Sequence, residues 1–404
     1  MKKILFIDHD PVRSGSTVSL EYLIRSFADR SYKVFVHTPK TEASSQGFVK
    51  AGAKVLPMGK RWFKTLAISS LFTNRDFPFS PRGLSTAAKD LVKLLYGVVI
   101  YAKVLRSTGA DLVYVNEHVV IQASLAARLV GVPAVVHVRS MLLSGTVGIR
   151  LSLMRMLIRR FNRFIFAITH QEAAQLNLPP DEASKVKLVG EFFDIRDSGY
   201  KPLNGSEPML AFRREKHVVL MLGGIQSMKG SLDFLCAAEE VLRKRNDVTF
   251  IVAGTIRENG SRKEREHYLA CQDIVQRLKP IERLWVLGEI DQSLELVAMA
   301  DIVVSPATIS HFSRPVIEAW GFGKPVVATA TKHMNELISD GINGILVNVG
   351  SSGEIAESIQ QLLEHPDLRK SLGEAGKRKV AKEFDAARNA GMIVDCCDTL
   401  VGAT

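Results

Sequence analysis

Two glycines and a lysine form the first group of residues that could do chemistry. Gly223 and Gly224 directly follow an apolar run, and Lys229 lies just before an amphipathic helical pattern. Glycine lets a backbone approach a ligand closely, and Lys229 brings a full positive charge to the same corner. A lysine before a helix N-terminus opposes the helix dipole unless an anion is present. The pattern therefore favours an anion-binding turn over a solvated surface lysine.

A second candidate anion site begins at Ser310. Its residues are, in order, Ser310, His311, Phe312, Ser313, Arg314, Pro315, Val316, Ile317 and Glu318. Pro315 suits the first turn of a helix, whose amide groups can bind phosphate. Glu318, one turn further on, can direct its carboxylate back toward that ligand, although a carboxylate near a helix start is also ordinary helix chemistry. Together with the Lys229 turn, the segment predicts a phosphate-bearing ligand.

Two weaker signals lie in the first 17 residues. Gly15 and Ser16 open a helical pattern and offer amide groups and a hydroxyl to an anion, but a plain N-cap turn explains them equally well. Asp8 and Asp10 form an Asp-x-Asp pair that could bind a divalent metal ion. Because they lie in a first strand-to-helix loop, we interpret them as incidental loop carboxylates and expect no metal site and no cofactor. A GxGxxG fingerprint is absent, which weakens a dinucleotide interpretation.

Each of these turns should directly follow a β-strand, because ligands of open α/β folds bind at the carboxyl ends of parallel strands. Apolar runs alternate with helical patterns in both halves of the chain, which predicts two Rossmann-like, doubly wound α/β domains facing a central cleft. The expected strands comprise residues 3–8, 33–37, 111–115, 133–138, 217–222, 248–253, 283–287, 302–304 and 325–328. A Gly- and Pro-rich linker at 197–208 separates an N-terminal domain (1–200) from a C-terminal domain (209–384). Residues 385–404 form a last helix that could cross back to the first domain.

Short motifs follow one another in the second half in a fixed order. They are Lys229 with Gly230, Pro315 to Glu318 with Ala319 to Val326, Glu336 to Gly344, and the tail Pro366 to Gly376. In this order, residues 217–384 resemble the donor-binding domain of the retaining glycosyltransferases of the GT-B fold, the large group-one family (family four). The first half resembles the same family more weakly, through Gly15 and Ser16, Asp111 to Asn116, and His137 with Arg139.

The resemblance implies a nucleoside diphosphate sugar as donor, with no metal required. Lys229 would bind the diphosphate, the amides at the start of the Pro315 helix would bind its distal phosphate, and Glu318 would hold the ribose hydroxyls. Negative charge develops on the departing diphosphate, so a lysine and a helix N-terminus suit the transition state. The full set of expected donor-binding residues is Gly223, Gly224, Lys229, Ser310, His311, Phe312, Ser313, Arg314, Pro315, Val316 and Glu318.

The resemblance also implies an acceptor side in the first half. His137 matches a histidine that lies near the reacting sugar, and with Lys229 and Glu318 it completes the expected catalytic residues. The expected acceptor-side residues are Gly15, Ser16, Asn116, His137 and Arg139. The acceptor itself would be an oligosaccharide or a lipid-linked molecule.

The chain departs from the family pattern at three positions. Ser310 stands where the family has the first of two glutamates, and Gly224 stands where it has an arginine. Glu191 stands at the usual asparagine before the domain crossover. The missing arginine removes one diphosphate contact, which Arg314 beside the helix start could supply instead. The missing glutamate contacts the sugar in the family, so the identity of the donor sugar stays open.

Composition excludes several classes of protein. The 404 residues are 46% hydrophobic and 24% charged, which is ordinary for globular domains. The longest run without a charged residue is 13 residues (341–353), well short of the roughly 18 to 20 that a membrane-spanning helix needs. The first residues predict a strand, not a signal peptide. Four cysteines without metal-site spacing fit a reducing compartment, so we expect a cytoplasmic protein.

The net charge of +11 is unevenly distributed. Residues 1–205 hold 29 Lys and Arg against 15 Asp and Glu, a net of +14, and the remaining residues hold 24 against 27, a net of −3. Residues 118–171 contain seven arginines and no carboxylate. A helical pattern over 151–165 places three of these arginines in one row, and a basic, aromatic segment lies at 60–64. These features predict docking on an anionic membrane at the inner leaflet, although a solvated cationic helix face would look similar.

We therefore expect a glycosyltransferase of bacterial surface polysaccharide assembly, attached peripherally to the inner face of the cell membrane. Two alternatives remain open. A nucleotide-sugar epimerase on the same fold would convert the donor without an acceptor. A non-catalytic sugar-nucleotide-binding protein would bind the donor without turnover. Nucleic-acid binding is disfavoured, because the basic half contains no recognisable reading module.

Overall fold

The computed structural model describes residues 1–11, 15–58, 81–142, 148–195, 200, 215–290 and 293–402. The chain forms two compact units. Unit 1 comprises Met1–Phe192 and Ala386–Thr404, and unit 2 comprises Phe193–Asp385. The predicted linker, apart from residue 200, and the basic, aromatic segment at 60–64 lie outside the described residues. Among the described helices, none is long and apolar enough to cross a bilayer.

Each unit is built on a parallel sheet, which confirms the predicted pair of Rossmann-like α/β domains. The described strands of unit 1 are β1 (Lys3–Ile7), β2 (Lys33–Thr38), β3 (Lys54–Pro57), β4 (Leu112–Val115), β5 (Ala134–Val138), β6 (Phe164–Ala167) and β7 (Val186–Leu188). Those of unit 2 are β8 (His217–Leu222), β9 (Val248–Ala253), β10 (Leu284–Val286), β11 (Ile302–Ser305), β12 (Val326–Thr329) and β13 (Ile345–Val347). Central strands such as β4 and β11 are buried along their whole length, as expected where helices cover both faces of a sheet.

Helices cover these sheets. In unit 1 they are α1 (Gly15–Asp29), α2 (Gln46–Lys50), α3 (Pro81–Thr108), α4 (Gln122–Val130), α5 (Ile149–Phe161), α6 (His170–Ala174) and the C-terminal α14 (Ala386–Val401). In unit 2 they are α7 (Ser231–Lys244), α8 (Arg262–Leu278), α9 (Ser293–Met299), α10 (Arg314–Gly321), α11 (Lys332–Leu337), α12 (Ser352–Glu364) and α13 (Pro366–Glu383). In unit 1, α3, α4 and α5 share one hydrophobic core, and α1 and α14 share the other.

Strand order defines where each sheet can bind a ligand. The order is β3-β2-β1-β4-β5-β6-β7 in unit 1 and β10-β9-β8-β11-β12-β13 in unit 2. In both sheets the order reverses at the first strand of the unit, between β1 and β4 and between β8 and β11. Connections on either side of such a switch point diverge, which leaves a crevice at the carboxyl ends of the two strands. The predicted turns after β8 and β11 and the residues after β1 and β4 lie at these edges.

Several elements differ from the sequence prediction, and strands β3 and β7, for example, were not among the expected strands. The helical pattern over 151–165 ends at Phe161, and Phe164 and Ile165 belong to β6 instead. Asn162 ends the helix in an extended conformation, and its side chain bonds the Ile158 carbonyl (2.9 Å) and the Ser124 hydroxyl (2.8 Å). The 28-residue helix α3 was not predicted. Exposed apolar residues such as Leu91, Val92 and Leu95 lie on its outer side, so the sequence does not show the usual contrast between an apolar inner face and a polar outer face.

Candidate functional site

The turn after β8 is pressed against the turn after β9. Gly224 has a φ of +68°, and a Cβ at this position would lie 2.1 Å from the carbonyl oxygen of Thr255. The amide groups of Gly223 and Gly224 both donate to the Ala253 carbonyl, at 2.9 Å. A side chain at residue 224 would therefore collide with backbone. This close approach explains why glycine replaces the arginine of the family pattern.

Lys229 lies at the end of this turn and contacts the second predicted segment. Its Nζ is 2.8 Å from Nε2 of His311, whose Nδ1 is 3.1 Å from the carbonyl oxygen of Ile309. Burial and the nearby Lys229 charge lower the pKa of His311 to about 4, and burial and Arg257 lower the pKa of Lys229 below its ordinary value. These partners fix a neutral imidazole that donates from Nδ1 to Ile309 and accepts from the Lys229 ammonium.

Backbone contacts hold the two turns together. Gly230 has a φ of +71°, and a Cβ there would lie 1.7 Å from the carbonyl oxygen of Pro306. Thr308 donates from its amide to the Met228 carbonyl (3.1 Å) and from its hydroxyl to the Ser227 carbonyl (2.9 Å). The structure therefore brings Lys229 and the residues around His311 into one rigid corner of unit 2, although they lie far apart in the sequence.

Helix α10 begins in the same corner. Ser313 precedes its first residue but makes no side-chain capping bond to the helix; its hydroxyl lies 2.9 Å from that of Ser305 instead. The Arg314 guanidinium donates from Nε to Oε1 of Glu318 at 2.8 Å, and both side chains are mostly buried. This ion pair sets the direction of the Glu318 carboxylate. The same ion pair engages Arg314, which the sequence suggested as a substitute for the diphosphate-binding arginine that this chain lacks.

Two of the expected donor-binding residues have packing roles. Val316 is fully buried in the core of unit 2, and its amide donates to the Ser313 carbonyl at 3.1 Å. The Phe312 ring packs against that of Phe384, with centroids 6.0 Å apart. These packing contacts hold α10 in place, and contact of the two residues with the donor stays a prediction.

Ser310 ties the loop to helix α11. Its hydroxyl is 2.7 Å from Nδ1 of His333 and accepts from the His333 amide at 3.1 Å. His333 is almost fully buried and was not singled out in the sequence. The sequence feature that could have identified His333 is its position shortly after β12, at the same edge of the sheet. Where the family has a glutamate, this chain therefore has the short side chain of Ser310, whose hydroxyl is hydrogen-bonded to His333.

In unit 1, two expected residues lie at the ends of neighbouring strands. Asn116 follows β4 and is fully buried, and neither its side-chain oxygen nor its nitrogen has a hydrogen-bond partner. Arg139 follows β5, and its Nη1 pairs with Glu191, but its buried Nε and Nη2 have no partner. Buried polar atoms without partners cost free energy, so such groups usually indicate a ligand or a functional constraint. The pair can donate to and accept from a polar molecule.

The N-terminus of α1 adjoins these residues. Gly15 and Ser16 open the helix, and Ser19, one turn later, donates to Oε2 of Glu191 at 2.7 Å. Glu191 thus connects α1 with Arg139. The glutamate that replaces the family's asparagine serves here to orient an arginine.

His137 does not lie on this surface. Its side chain is fully buried on β5, its Nδ1 is 2.6 Å from the Tyr114 hydroxyl, and the Phe166 and Phe192 rings surround it. Burial and the Arg139 charge hold its pKa well below the ordinary value. The imidazole is thus neutral and largely enclosed by aromatic rings, and its Nε2 has no hydrogen-bond partner. Contact of His137 with a reacting sugar stays a prediction.

Asp8 also has a structural role. Its carboxylate is buried, lies 3.1 Å from the equally buried ammonium of Lys40, and accepts from the Thr38 hydroxyl at 2.8 Å. Across the described part of the chain, no three His, Cys, Asp or Glu residues are grouped so as to hold a metal ion. Asp8, the first carboxylate of the Asp-x-Asp pair, therefore takes part in an interior ion pair.

Comparisons with known proteins agree with this geometry. A family model described as "Glycosyl transferases group 1" matches residues 207–379, and one described as "Glycosyl transferase 4-like domain" matches residues 14–183. Among curated relatives, the putative glycosyltransferase EpsD of Bacillus subtilis is 31% identical over 55% of this chain and 56% of its own length. The alpha-D-kanosaminyltransferase of Streptomyces kanamyceticus is 25% identical over 40% of each chain. The chain thus spans about half the length of these relatives.

Solved structures share the fold over the whole chain. The Anabaena protein HepE in complex with UDP-glucose has a TM-score of 0.74 at 20% identity and covers 99% of this chain and 100% of its own. Sucrose-phosphate synthase from Thermosynechococcus elongatus has a TM-score of 0.76 at 17% identity and covers 100% of both chains. With two family models on successive halves and a Rossmann-like sheet under each, the chain belongs to the group-1 glycosyltransferases of the GT-B fold.

Proposed function

We propose that this protein transfers a sugar from a nucleoside diphosphate sugar to an oligosaccharide or lipid-linked acceptor, with retention of configuration and without a metal ion. The observation that carries the proposal is the corner of unit 2 in which the Lys229 ammonium, held by His311, adjoins the start of α10. Family membership supports the reaction class. The HepE structure was solved with UDP-glucose, which supports a UDP-sugar as the first donor to test.

Lys229 neutralises charge on the leaving diphosphate. An ammonium has three N–H donors, and only one is directed at Nε2 of His311, so two remain for phosphate oxygens. His311 is a neutral acceptor and therefore orients the ammonium without cancelling its charge. The start of α10 adds the positive end of a helix dipole. Both groups are fixed before the reaction, as electrostatic stabilisation of a transition state requires.

The α10 ion pair provides the second donor contact. Arg314 holds Oε1 of Glu318, and this leaves Oε2 to accept from the ribose hydroxyls of the nucleotide. Lys229 and the α10 amides can carry the diphosphate charge without Arg314. A divalent metal would duplicate that role, which is why the proposal includes none.

Arg139 and Asn116 bind the acceptor side in this proposal. Their unpartnered atoms offer donors from the guanidinium and both a donor and an acceptor from the amide, which suits a sugar hydroxyl. Glu191 and the α1 residue Ser19 hold Arg139 in place. Surface polysaccharide assembly at the inner face of the membrane is the proposed setting.

The proposal is tested by incubating the purified protein with nucleotide sugars, first without and then with an acceptor panel. Thermal-shift measurements with UDP, GDP, ADP and CDP identify which nucleoside diphosphate the protein binds, and the donor is selected accordingly. Acceptor-dependent release of the nucleoside diphosphate, with slow hydrolysis in its absence, supports transfer. Epimerisation of the donor without an acceptor supports the epimerase alternative, and binding without turnover over the whole panel supports a non-catalytic role.

A further inference from the structure

Helix α3 of unit 1 exposes an apolar stripe. Leu95, near the middle of the helix, is 59% exposed, and its neighbours along the stripe are similarly open. The exposed apolar members are Leu84, Leu91, Val92, Leu95, Tyr96 and Val99. Their spacing places them on one side of the helix over about four turns. A continuous stripe of this kind, unlike a scattered exposed leucine, indicates an interaction surface.

Most of the stripe lies N-terminal to the part of α3 that packs into the hydrophobic core of unit 1. The helix contributes core residues only from Val98 onward, through Tyr101, Ala102 and Leu105. A helix of 28 residues is about 42 Å long, whereas a strand of five residues spans about 17 Å. Because α3 leads directly into β4 and runs back along the sheet, its first half projects beyond the carboxyl edge. Asn116 and Arg139 lie at that same edge.

The charges around the stripe are positive. Lys89 is exposed beside it, and Lys103 and Arg106 are exposed further along the helix. Asp90 is the one carboxylate in the sequence of α3; it is buried, and Arg150 lies 3.8 Å from it. Helices α4 and α5, which cover the same face of the sheet, contain no carboxylate in their sequences. Among the described side chains of these three helices, no carboxylate is exposed.

Helix α5 contributes less than the sequence suggested. Of the predicted arginine row, Arg155 donates to the Gln175 carbonyl (2.6 Å) and Arg159 donates to Glu182 (2.9 Å). Arg163 lies beyond the end of the helix. The expectation of a free cationic row on this helix is therefore corrected, and α3 is the better candidate for contact with a partner.

We propose that α3 docks unit 1 on an anionic lipid bilayer, with the stripe from Leu84 to Val99 entering the boundary between head groups and acyl chains. An interfacial helix combines an apolar face with flanking lysines, and each basic group near anionic lipid adds about 1 kcal/mol of attraction. A second copy of this chain is a poorer occupant, because it would bring like charges together. Single-stranded nucleic acid is also poorer, because the stripe is almost wholly aliphatic and offers few rings for stacking.

The docking surface is related to the proposed function only through its position on unit 1. A bilayer on the first half of α3 would lie at the edge of unit 1 that carries Arg139 and Asn116. A lipid-linked acceptor could then reach these residues without leaving the membrane. This link rests on the proposed function, but the docking itself does not.

Vesicle flotation of the full chain tests the proposal, with phosphatidylcholine vesicles that contain or lack phosphatidylglycerol. Leu95→Glu should weaken partition into the anionic vesicles about tenfold or more, because one leucine leaves the lipid and a negative charge replaces it. Leu269→Glu on α8 of unit 2 is the matched control, since Leu269 is also 59% exposed. Lys89→Glu should weaken binding as well, and Lys263→Glu on α8 is its control. Hydrogen exchange should show protection of residues 84–99 on binding.

The outcomes separate the possibilities. Loss of flotation in Leu95→Glu but not in Leu269→Glu, with an unchanged melting temperature and unchanged donor hydrolysis, supports docking through α3. Equal flotation of Leu95→Glu and Leu269→Glu, or no dependence on phosphatidylglycerol, overturns it. Dimers of the wild type in light scattering that Leu95→Glu abolishes would assign the stripe to a second copy instead. A protein that floats as expected but transfers no sugar would refute the proposed function and leave the docking intact.

Discussion

In unit 2 the predicted polar site residues have side-chain partners close by, whereas in unit 1 three of the predicted residues have buried atoms without a partner. Lys229 contacts His311, Ser310 contacts His333 and Arg314 contacts Glu318, all within one corner. By contrast, the Asn116 amide, Nε2 of His137 and two nitrogens of Arg139 are buried and unpaired.

The two units differ in how their candidate sites are built. In unit 2 a charged side chain is held in place, which suits the diphosphate, the part that all nucleoside diphosphate donors share. Unit 1 keeps hydrogen-bonding capacity that a polar ligand can satisfy, at a cost in stability. We expect donor binding to depend on rigidity and acceptor binding to depend on complementary polar groups.

The strongest test of rigidity in unit 2 is Gly224→Arg, which restores the arginine of the family pattern. Because the new Cβ would collide with the Thr255 carbonyl and the residue has a positive φ, the free energy of unfolding should fall by about 4 kcal/mol. Urea unfolding measures this. Gly353→Arg is the control and should change little, because a Cβ added at this glycine would have no atom within 4 Å. Equal stability of the two variants would contradict a tightly packed turn.

Lys229→Ala tests the fixed charge itself. If the ammonium stabilises the leaving diphosphate, kcat should fall about 10²- to 10³-fold, as when one preorganised donor is removed from an active site. Lys244→Ala, at the other end of α7, removes an exposed lysine that pairs with Glu240 and should leave kcat unchanged. Steady-state kinetics with a fixed acceptor measure both. A similar kcat for both variants would show that Lys229 does not stabilise the leaving diphosphate.

His311 should make unit 2 sensitive to acid. Histidine titrates near pH 6.5 in an unfolded chain, and the pKa of His311 is lowered to about 4 by burial and Lys229. Between these values the unfolded chain takes up the proton first. The stabilising contribution is therefore complete above pH 6.5 and is lost as the pH falls to 4, by up to about 3 kcal/mol.

Urea unfolding at several pH values checks this sign. His311→Gln should flatten the decline below pH 6.5, whereas His365→Gln, which changes an exposed histidine, should not. His37 should leave a residual decline in both variants, because burial lowers its pKa to about 4 as well. An unchanged slope in His311→Gln would show that this imidazole is not held neutral in the folded protein.

The smallest expected effect concerns unit 1 and has opposite signs for stability and activity. Asn116→Leu removes two buried, unpaired polar atoms at similar volume, so the protein should become more stable by about 1 kcal/mol. Transfer to the acceptor should fall, while the affinity for the nucleotide stays the same. Thermal unfolding and acceptor kinetics test both halves of the expectation. A less stable variant would mean that the Asn116 amide is satisfied within the protein.

Much of the fold could be predicted from the sequence because short apolar runs, glycine turns and a helical proline act locally. The turn at Gly223 and Gly224 and the start of α10 near Pro315 are of this kind. Helix α3 could not be predicted in this way, because residues such as Leu91, Val92 and Leu95 cover its outer side and hide the usual amphipathic pattern.

The site was harder to predict than the fold. His137 and Arg139 are two residues apart, so they share a side of the strand, and only the three-dimensional structure shows that the first is enclosed and the second lies at the strand end. The contact between Lys229 and His311 joins residues that are 82 positions apart. Such a pair depends on the packing of two loops and has no local signal.

The central claim is that Lys229, oriented by His311 beside α10, binds the diphosphate of the donor. Calorimetric titration of the wild type and Lys229→Ala with UDP and with uridine tests it most directly. The account predicts that UDP affinity falls about tenfold or more in the variant, on the scale of one lost charge-assisted hydrogen bond, while uridine affinity stays the same. Equal UDP affinity in both proteins, or an equal loss for uridine, would contradict it.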